Sequence, residues 1–338
     1  MSSYLVRCKE DEVFDKHASG QFASIVSFFS KFYLALTEKS RQTNEERREE
    51  SGLMEDQSRV AKVEVSDLSE ILNFDTFNFL CSEMKKRMEE KKWKEVSLFV
   101  SALRGVVEMV CTLLEDSPSH ESFAKSFSLQ MFYRAPLITE PLFSLLRNFL
   151  SSKLPKAYLR DLVAIAHNLL QILLILQKKR HLVLVQRNSR KKTESENEQD
   201  GELFYEPSDL LRKLVTRKIV SQYLLLLQDF PLNPPKTNEH VFHFLHHFSD
   251  PQRPFKQIFL PNLLFQVSTF RLFASLLKSP LFLEGMQHWI GFIKRLIRLF
   301  ISSTSSLSNK ALYPLLLFQR SKRDYLTLLL KDEFVSLK

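Results

Sequence analysis

Large apolar residues return along this chain at every third or fourth position, in segments separated by short polar or proline-bearing stretches. That period is helical. Gln21–Glu38 predicts a first helix, with Phe22, Ile25, Val26, Phe29, Phe32, Tyr33 and Leu36 on a broad apolar face. At Lys39 the pattern stops. SRQTNEERREESG brings dense mixed charge and almost no large apolar residue, the composition of a solvated, flexible linker. Asp67 or Asn73 is placed to cap the next helix. It carries Phe74, Phe77, Phe79, Leu80 and Met84 to the polar end MKKRMEEKK, where cations complement the helix dipole. Lys94–Glu115 puts Val96, Phe99, Val100, Leu103, Val107, Val110 and Leu114 on one side. The turn at Asp116–Ser119 predicts a stop and a shorter helix to Tyr133. Pro136 and Pro141 flank another start leading to Phe143–Leu150, and Pro155 precedes a long helix, Lys156–Arg180.

From Val215 to Leu277 three more apolar-periodic segments follow, divided by Pro-rich turns, and none alternates with a strand period. In Lys236–Ser249, Val241, Phe242, Leu245 and Phe248 share one helical face, and His240, His243, His246 and His247 share the other. Leu245 and Phe265 are expected in the core. Every hinge joins helix to helix, so the fold class is all-α. The expected architecture is an irregular helical-repeat α-solenoid of HEAT/armadillo-like kind, built of antiparallel helix pairs that bury their faces on their neighbours. The repeats share no fixed length. The expected organisation is an N-terminal helical segment (1–38), a charged flexible linker (39–66), a first repeat block ending in a basic loop (67–192), a short acidic loop (193–202) and a second block (203–338).

Composition sharpens this. Only 6 glycines stand against 29 phenylalanines, too few for the turns of an all-β protein or for phosphate-cradling loops. The cysteines, Cys8, Cys81 and Cys111, are far apart, form no ligand spacing and suit a reducing compartment. The N-terminus lacks the long apolar run of a secretory signal. The most apolar stretch, Leu162–Leu176, falls short of the ~20 residues a bilayer requires and reads as a core helix, so no membrane is expected.

Candidate chemistry is sparse. His240, His243 and His247 are spaced i, i+3, i+7, but a zinc site usually draws on a second element and often on Cys or carboxylates, so no metal is expected. His167, Asn168 and Gln171, with Arg160 and Asp161, form a polar stripe on a greasy helix that suits hydrogen bonding to a neighbouring turn. No nucleophile elbow, HExxH, Walker loop or dinucleotide fingerprint occurs, so neither an enzyme nor a cofactor is expected.

The formal charge of +9 directs attention to the basic residues. Lys178, Lys179 and Arg180 end one helix, and Arg187, Arg190, Lys191 and Lys192 follow with no intervening acid. Arg217 with Lys218, and Lys294, Arg295 and Arg298, form two further groups. Such cations suit sequence-independent phosphate contact, in which each neutralised phosphate releases a counterion. They equally suit solvated helix ends, and Arg190–Lys192 also suits a short nuclear import signal.

Several pieces together carry a resemblance. In order along the chain they are SLQMFY (Ser128–Tyr133), YLRDLVAIAHNLL (Tyr158–Leu170), Leu184-Val185-Gln186 before basic residues, RKIVSQYLLLLQ (Arg217–Gln228), Thr237-Asn238, Leu245-His246 and LFQVSTF (Leu264–Phe270). With the Phe-rich helix of Asn73–Trp93, this ordered set resembles the Timeless family of replication fork-protection proteins, over roughly Asn73 to Leu277. The family signature falls here on Arg160, Asp161, His167, Thr237, Asn238, His246, Phe265 and Gln266. Glu239 stands where the family typically has His, and His247 where it has Arg. The family's acidic insertion is reduced to Thr193–Glu202, and its N-terminal repeats have no counterpart. The resemblance implies a non-enzymatic scaffold subunit of the fork-protection complex. Such a subunit grips duplex DNA without sequence specificity and pairs with a small Tipin-like subunit. It travels with the replicative helicase and other replisome components, and supports fork stability, pausing, checkpoint signalling and repair in the nucleus. The alternative is a protein-only helical-repeat adaptor that makes no DNA contact.

Overall fold

The computed structural model describes residues 16–51, 71–116, 120–151, 154–179, 181, 184–185, 203–250, 258–280, 282 and 286–305. It is all-α apart from a two-residue antiparallel ladder, and divides into two compact units, 1–209 and 210–338. In the first unit the helices are α1 (Lys16–Ser51), α2 (Phe74–Glu89), α3 (Trp93–Asp116), α4 (Glu121–Tyr133), α5 (Ala135–Arg147) and α6 (Lys156–Lys178). Strands β1 (Leu184–Val185) and β2 (Leu203–Phe204) follow, paired Leu184 to Phe204 and Val185 to Leu203. Helix α7 (Pro207–Leu214) carries the division between units. The second unit continues with α8 (Arg217–Leu227), α9 (Pro235–Ser249), α10 (Val267–Leu276) and α11 (Gln287–Thr304), with 3-10 turns at Phe230–Leu232 and Pro261–Leu264.

Helix α3 is the hub of the first unit, and α1, α2, α4 and α6 pack on it. Its Val96, Phe99, Val100, Leu103, Val106 and Val107 are fully buried, so the period read from the sequence is the packing period. By length and composition α3 and α6 are apolar enough to cross a bilayer, but 67% of each apolar window is buried inside the protein. Cys81 and Cys111 lie in this core, where burial pushes both thiols well above their ordinary range. Asn73 caps α2, its side-chain oxygen accepting from the Asp75 N–H at 3.0 Å.

Three expectations are corrected here. First, α1 does not end at Glu38 but continues to Ser51. TEKSRQTNEERREES contains no Pro or Gly, and Glu, Lys, Arg and Gln keep most of their rotamer freedom in a helix. Lost amphipathicity does not by itself end a helix. The rest of the expected linker lies outside the described residues.

Second, the apolar face of α1 splits in two. Phe22 and Val26 are buried with Ser19, Ala23, Ser27 and Ser30, whereas Ile25, Phe29 and Phe32 face outward. A Cβ added to Gly105 of α3 would sit 2.5 Å from Ser30 Cβ. Backbones that close admit only small residues between them, so serines take the inner face. The Ser30 hydroxyl returns its proton to the Val26 carbonyl at 2.7 Å and is satisfied there.

Third, Pro141 lies inside α5, which starts at Ala135 and ends at Arg147. Pro136 occupies the first turn, where a missing N–H is cheapest. Having no N–H, Pro141 forgoes its bond to Leu137, yet Leu142, Leu145 and Leu146 are buried and hold the helix through it.

Candidate nucleic-acid interface

The second unit is built around aromatic side chains. Tyr223 of α8 stacks on Phe244 of α9 with centroids 3.9 Å apart. Phe242 meets Trp289 at 5.1 Å and Phe292 at 5.9 Å, and Phe230 meets Phe282 at 4.9 Å. The turn between α8 and α9 is tied by amides. Asn233 donates to the Leu226 carbonyl at 2.7 Å and to Asn238 Oδ1 at 3.2 Å, and Asn238 donates to the Phe230 carbonyl at 3.0 Å. Asn238 is therefore a buried turn-fixing residue, and Thr237 beside it is buried. Leu245 and Phe265 are fully buried, Phe265 against Phe300 at 5.3 Å, while Gln266 is half-buried at the start of α10.

The four histidines do not share a solvated face. His246 and His247 are buried, while His240 and His243 are half-buried. His246 stacks on Phe242 at 5.2 Å. The Arg295 guanidinium of α11 lies 3.1 Å from His246 Nε2 and 2.7 Å from the buried Asp250 carboxylate. Asp250 is also 3.1 Å from His246 Nε2. Arg295 thus pins α11 to the end of α9 and is not held out for a ligand. The helical phase carried a hint, since Arg295 lies a third of a turn from Lys294 toward Trp289, Phe292 and Leu296. Among the described residues no group of three or more His, Cys, Asp or Glu is arranged to hold a metal ion.

The remaining candidate cations separate as follows. Lys294 and Arg298 are exposed one turn apart on α11, flanked by exposed Ile297 and Ile301. Lys218 is exposed and Arg217 half-buried in the first turn of α8. There the partial positive charge of the helix terminus adds to theirs, an arrangement that favours an anion over a cation. Arg187, Arg190, Lys191 and Lys192 lie outside the described residues, in the segment joining β1 to β2. Lys178 is exposed at the end of α6, whereas Lys179 donates to the Leu114 carbonyl at 3.1 Å and to Glu121 at 2.8 Å. That bond holds the Glu121 carboxyl below its ordinary range.

In the first unit Asp161 accepts from Arg104 at 2.6 Å, joining α6 to α3, and Arg160 and His167 are half-buried beside it in sequence. One charged centre escaped the sequence pattern. Arg87 lies in the expected polar end of α2 but is only 1% exposed. It donates to Ser19 and Glu83, each at 2.9 Å. Glu90 and Glu95 lie at 3.4 and 3.2 Å, the latter at ion-pair distance but off the line of a hydrogen bond from Nε. A small void between α2, α3, α5 and α6 is lined by Met84, Val100, Leu103, Ile138, Leu142 and Leu162, none of which offers a polar group.

Residues 217–326 match the family model described as the TOF1-like, helical domain. The match takes in α8 through α11, including the amide-tied turn and the His246–Asp250–Arg295 cluster. No curated protein matches the chain.

Proposed function

From the match of residues 217–326 to the TOF1-like helical domain we infer that the chain is a Timeless/TOF1-like protein, a non-enzymatic scaffold subunit of a nuclear replication fork-protection complex. Within each unit its helix pairs pack in the manner of a helical repeat. It binds duplex DNA without sequence preference, pairs with a small Tipin-like helical subunit, and works beside the replicative helicase in fork stability, pausing and checkpoint signalling. The family match is the observation that carries this reading. Exposed Lys218, Lys294 and Arg298, the positive helix end at Arg217 and the net charge of +9 support phosphate contact. Arg295 is withdrawn from the DNA-binding set, because its charge is spent on Asp250.

The test is duplex binding by fluorescence anisotropy on two unrelated sequences across a salt series. Equal affinity for both is expected, with log K falling linearly against log salt. The variant Lys218→Ala/Lys294→Ala/Arg298→Ala should flatten that slope by about 0.9 for each phosphate it no longer neutralises. Arg187, Arg190, Lys191 and Lys192 changed together to Ala form the second arm. An unaltered slope in that arm makes their segment a solvated connection or an import signal.

Exposed Ile297 and Ile301 beside Lys294 and Arg298 favour a second reading, a helical adaptor that binds only proteins. Phosphate contact has no use for exposed isoleucines, whereas an amphipathic partner helix does. Absence of any salt-sensitive DNA binding, together with co-purification of a small helical partner from nuclei, would establish it over the first.

A further inference from the structure

Helix α1 carries a second stripe, opposite the one that packs on α3. Gln21, Ile25, Phe28, Phe32, Ala35 and Lys39 are all exposed. They follow one another at spacings of four, three, four, three and four residues, which is the register of a coiled-coil seam. Phe28 is 63% and Phe32 54% exposed, and their rings stack on each other at 6.3 Å. The helix cannot roll to hide them, because Ser19, Ala23, Val26 and Ser30 are locked against the first unit and Ser30 sits hard on Gly105. Lys31 is drawn aside to Ser101 Oγ at 3.2 Å.

We propose that this seam pairs with the same seam of a second copy of the chain, antiparallel, about a two-fold axis passing beside Ser30. A two-fold interface must be self-complementary. Position 30 is the centre about which the seam reads alike in both directions. Antiparallel pairing sets Phe28 against Phe32, large Ile25 against small Ala35, and the Gln21 amide against the Lys39 ammonium. Parallel pairing would instead set Lys39 against Lys39, an unrelieved like-charge pair. The exposed parts of Ile25, Phe28, Phe29 and Phe32 offer roughly 400 Å² of apolar surface per copy. A pair buries about twice that, and with the flanking turns it reaches the ~1,200 Å² at which specific interfaces begin. The helix is already formed on α3, so no backbone ordering cost opposes association. The result is a dimer of about micromolar strength. The seam lies outside residues 217–326, so this proposal stands independently of the fork-complex reading.

Sedimentation equilibrium of the full chain over about 1 to 100 μM provides the test. The wild type is expected to pass from monomer to dimer, and Phe28→Glu/Phe32→Glu to raise the dissociation constant at least about tenfold with an unchanged circular dichroism melt. If the glutamates unfold the protein, the milder Ile25→Ser/Phe28→Ser variant carries the same comparison. Orientation is read in a Cys8→Ser background, where Gln21→Cys chains mixed with Lys39→Cys chains should form a 21-to-39 disulfide in preference to 21-to-21 or 39-to-39. A wild type that stays monomeric throughout, with the seam covered by its own chain or by an unrelated partner, overturns the proposal. So does a dimer indifferent to the substitutions, or one that cross-links 39 to 39.

Discussion

Arg87 shows at single-residue scale how a charge written into a polar run becomes a core residue. Its guanidinium reaches Ser19 on α1, Glu83 and Glu90 around the end of α2, and Glu95 on α3. Three elements share one cation. Replacing it leaves three carboxylates facing one another over a buried space. Because Glu90 and Glu95 keep contact with water, the cost falls below that of a sealed ion pair. Arg87→Met is expected to lower stability by ~2–3 kcal/mol in urea denaturation, and Arg87→Lys to recover only part of it, since an ammonium lacks the planar fork. A wild-type midpoint for Arg87→Met would mean that the cluster contributes nothing. Asp161, Asn238 and His246 hold packed elements together at this scale too. Asp161 ties α6 to α3, Asn238 ties a turn, and His246 is enclosed with Asp250 and Arg295. All lay in the sequence as polar residues on apolar helices. Their partners did not, because a pairing such as Arg104 with Asp161 joins residues far apart in the chain.

Among the elements, α1 departs most from its reading. Periodicity marked it as a helix with one broad apolar face, but did not say which part of that face would be buried. The choice follows from Gly105, whose missing side chain lets α3 approach so closely that serine and alanine fit where phenylalanine cannot. Gly105→Ala puts a methyl group into that close approach. It is expected to destabilise the first unit by ~1–3 kcal/mol in the same assay, although alanine is the better helix former. Were Gly105→Ala to stabilise the protein, propensity would outweigh packing and α1 would have to sit farther from α3. Helices α2, α3, α4 and α6 were legible almost to their ends, through Asn73, the break after Asp116 and Pro155. Helix α5 was legible as an element but not in its start, because a proline in the first two turns marks a helix as readily as it breaks one.

On the scale of the whole molecule, each unit has a core of its own, one around α3 and one around Phe242, Trp289 and Phe292. Separate cores give separate cooperativity. Calorimetry is expected to show two transitions, with Arg87→Met shifting only one. Leu245→Ala, at a cost of ~2–5 kcal/mol for a fully buried leucine, should shift only the other. One transition moved by both substitutions would make the chain a single folding unit.

The sequence by itself determined that the chain is helical and where most helices begin. Those are local properties, fixed by period, caps and prolines within a few residues of one another. Only the tertiary structure decided which stripe of α1 is buried, that Arg87 is enclosed, and that Arg295 serves Asp250 while Lys294 and Arg298 face solvent. A cation on a helix looks the same in sequence whether its partner is water, a phosphate or a carboxylate on another helix. What distinguishes these cases is the distance between elements, and that exists only once the helices have packed.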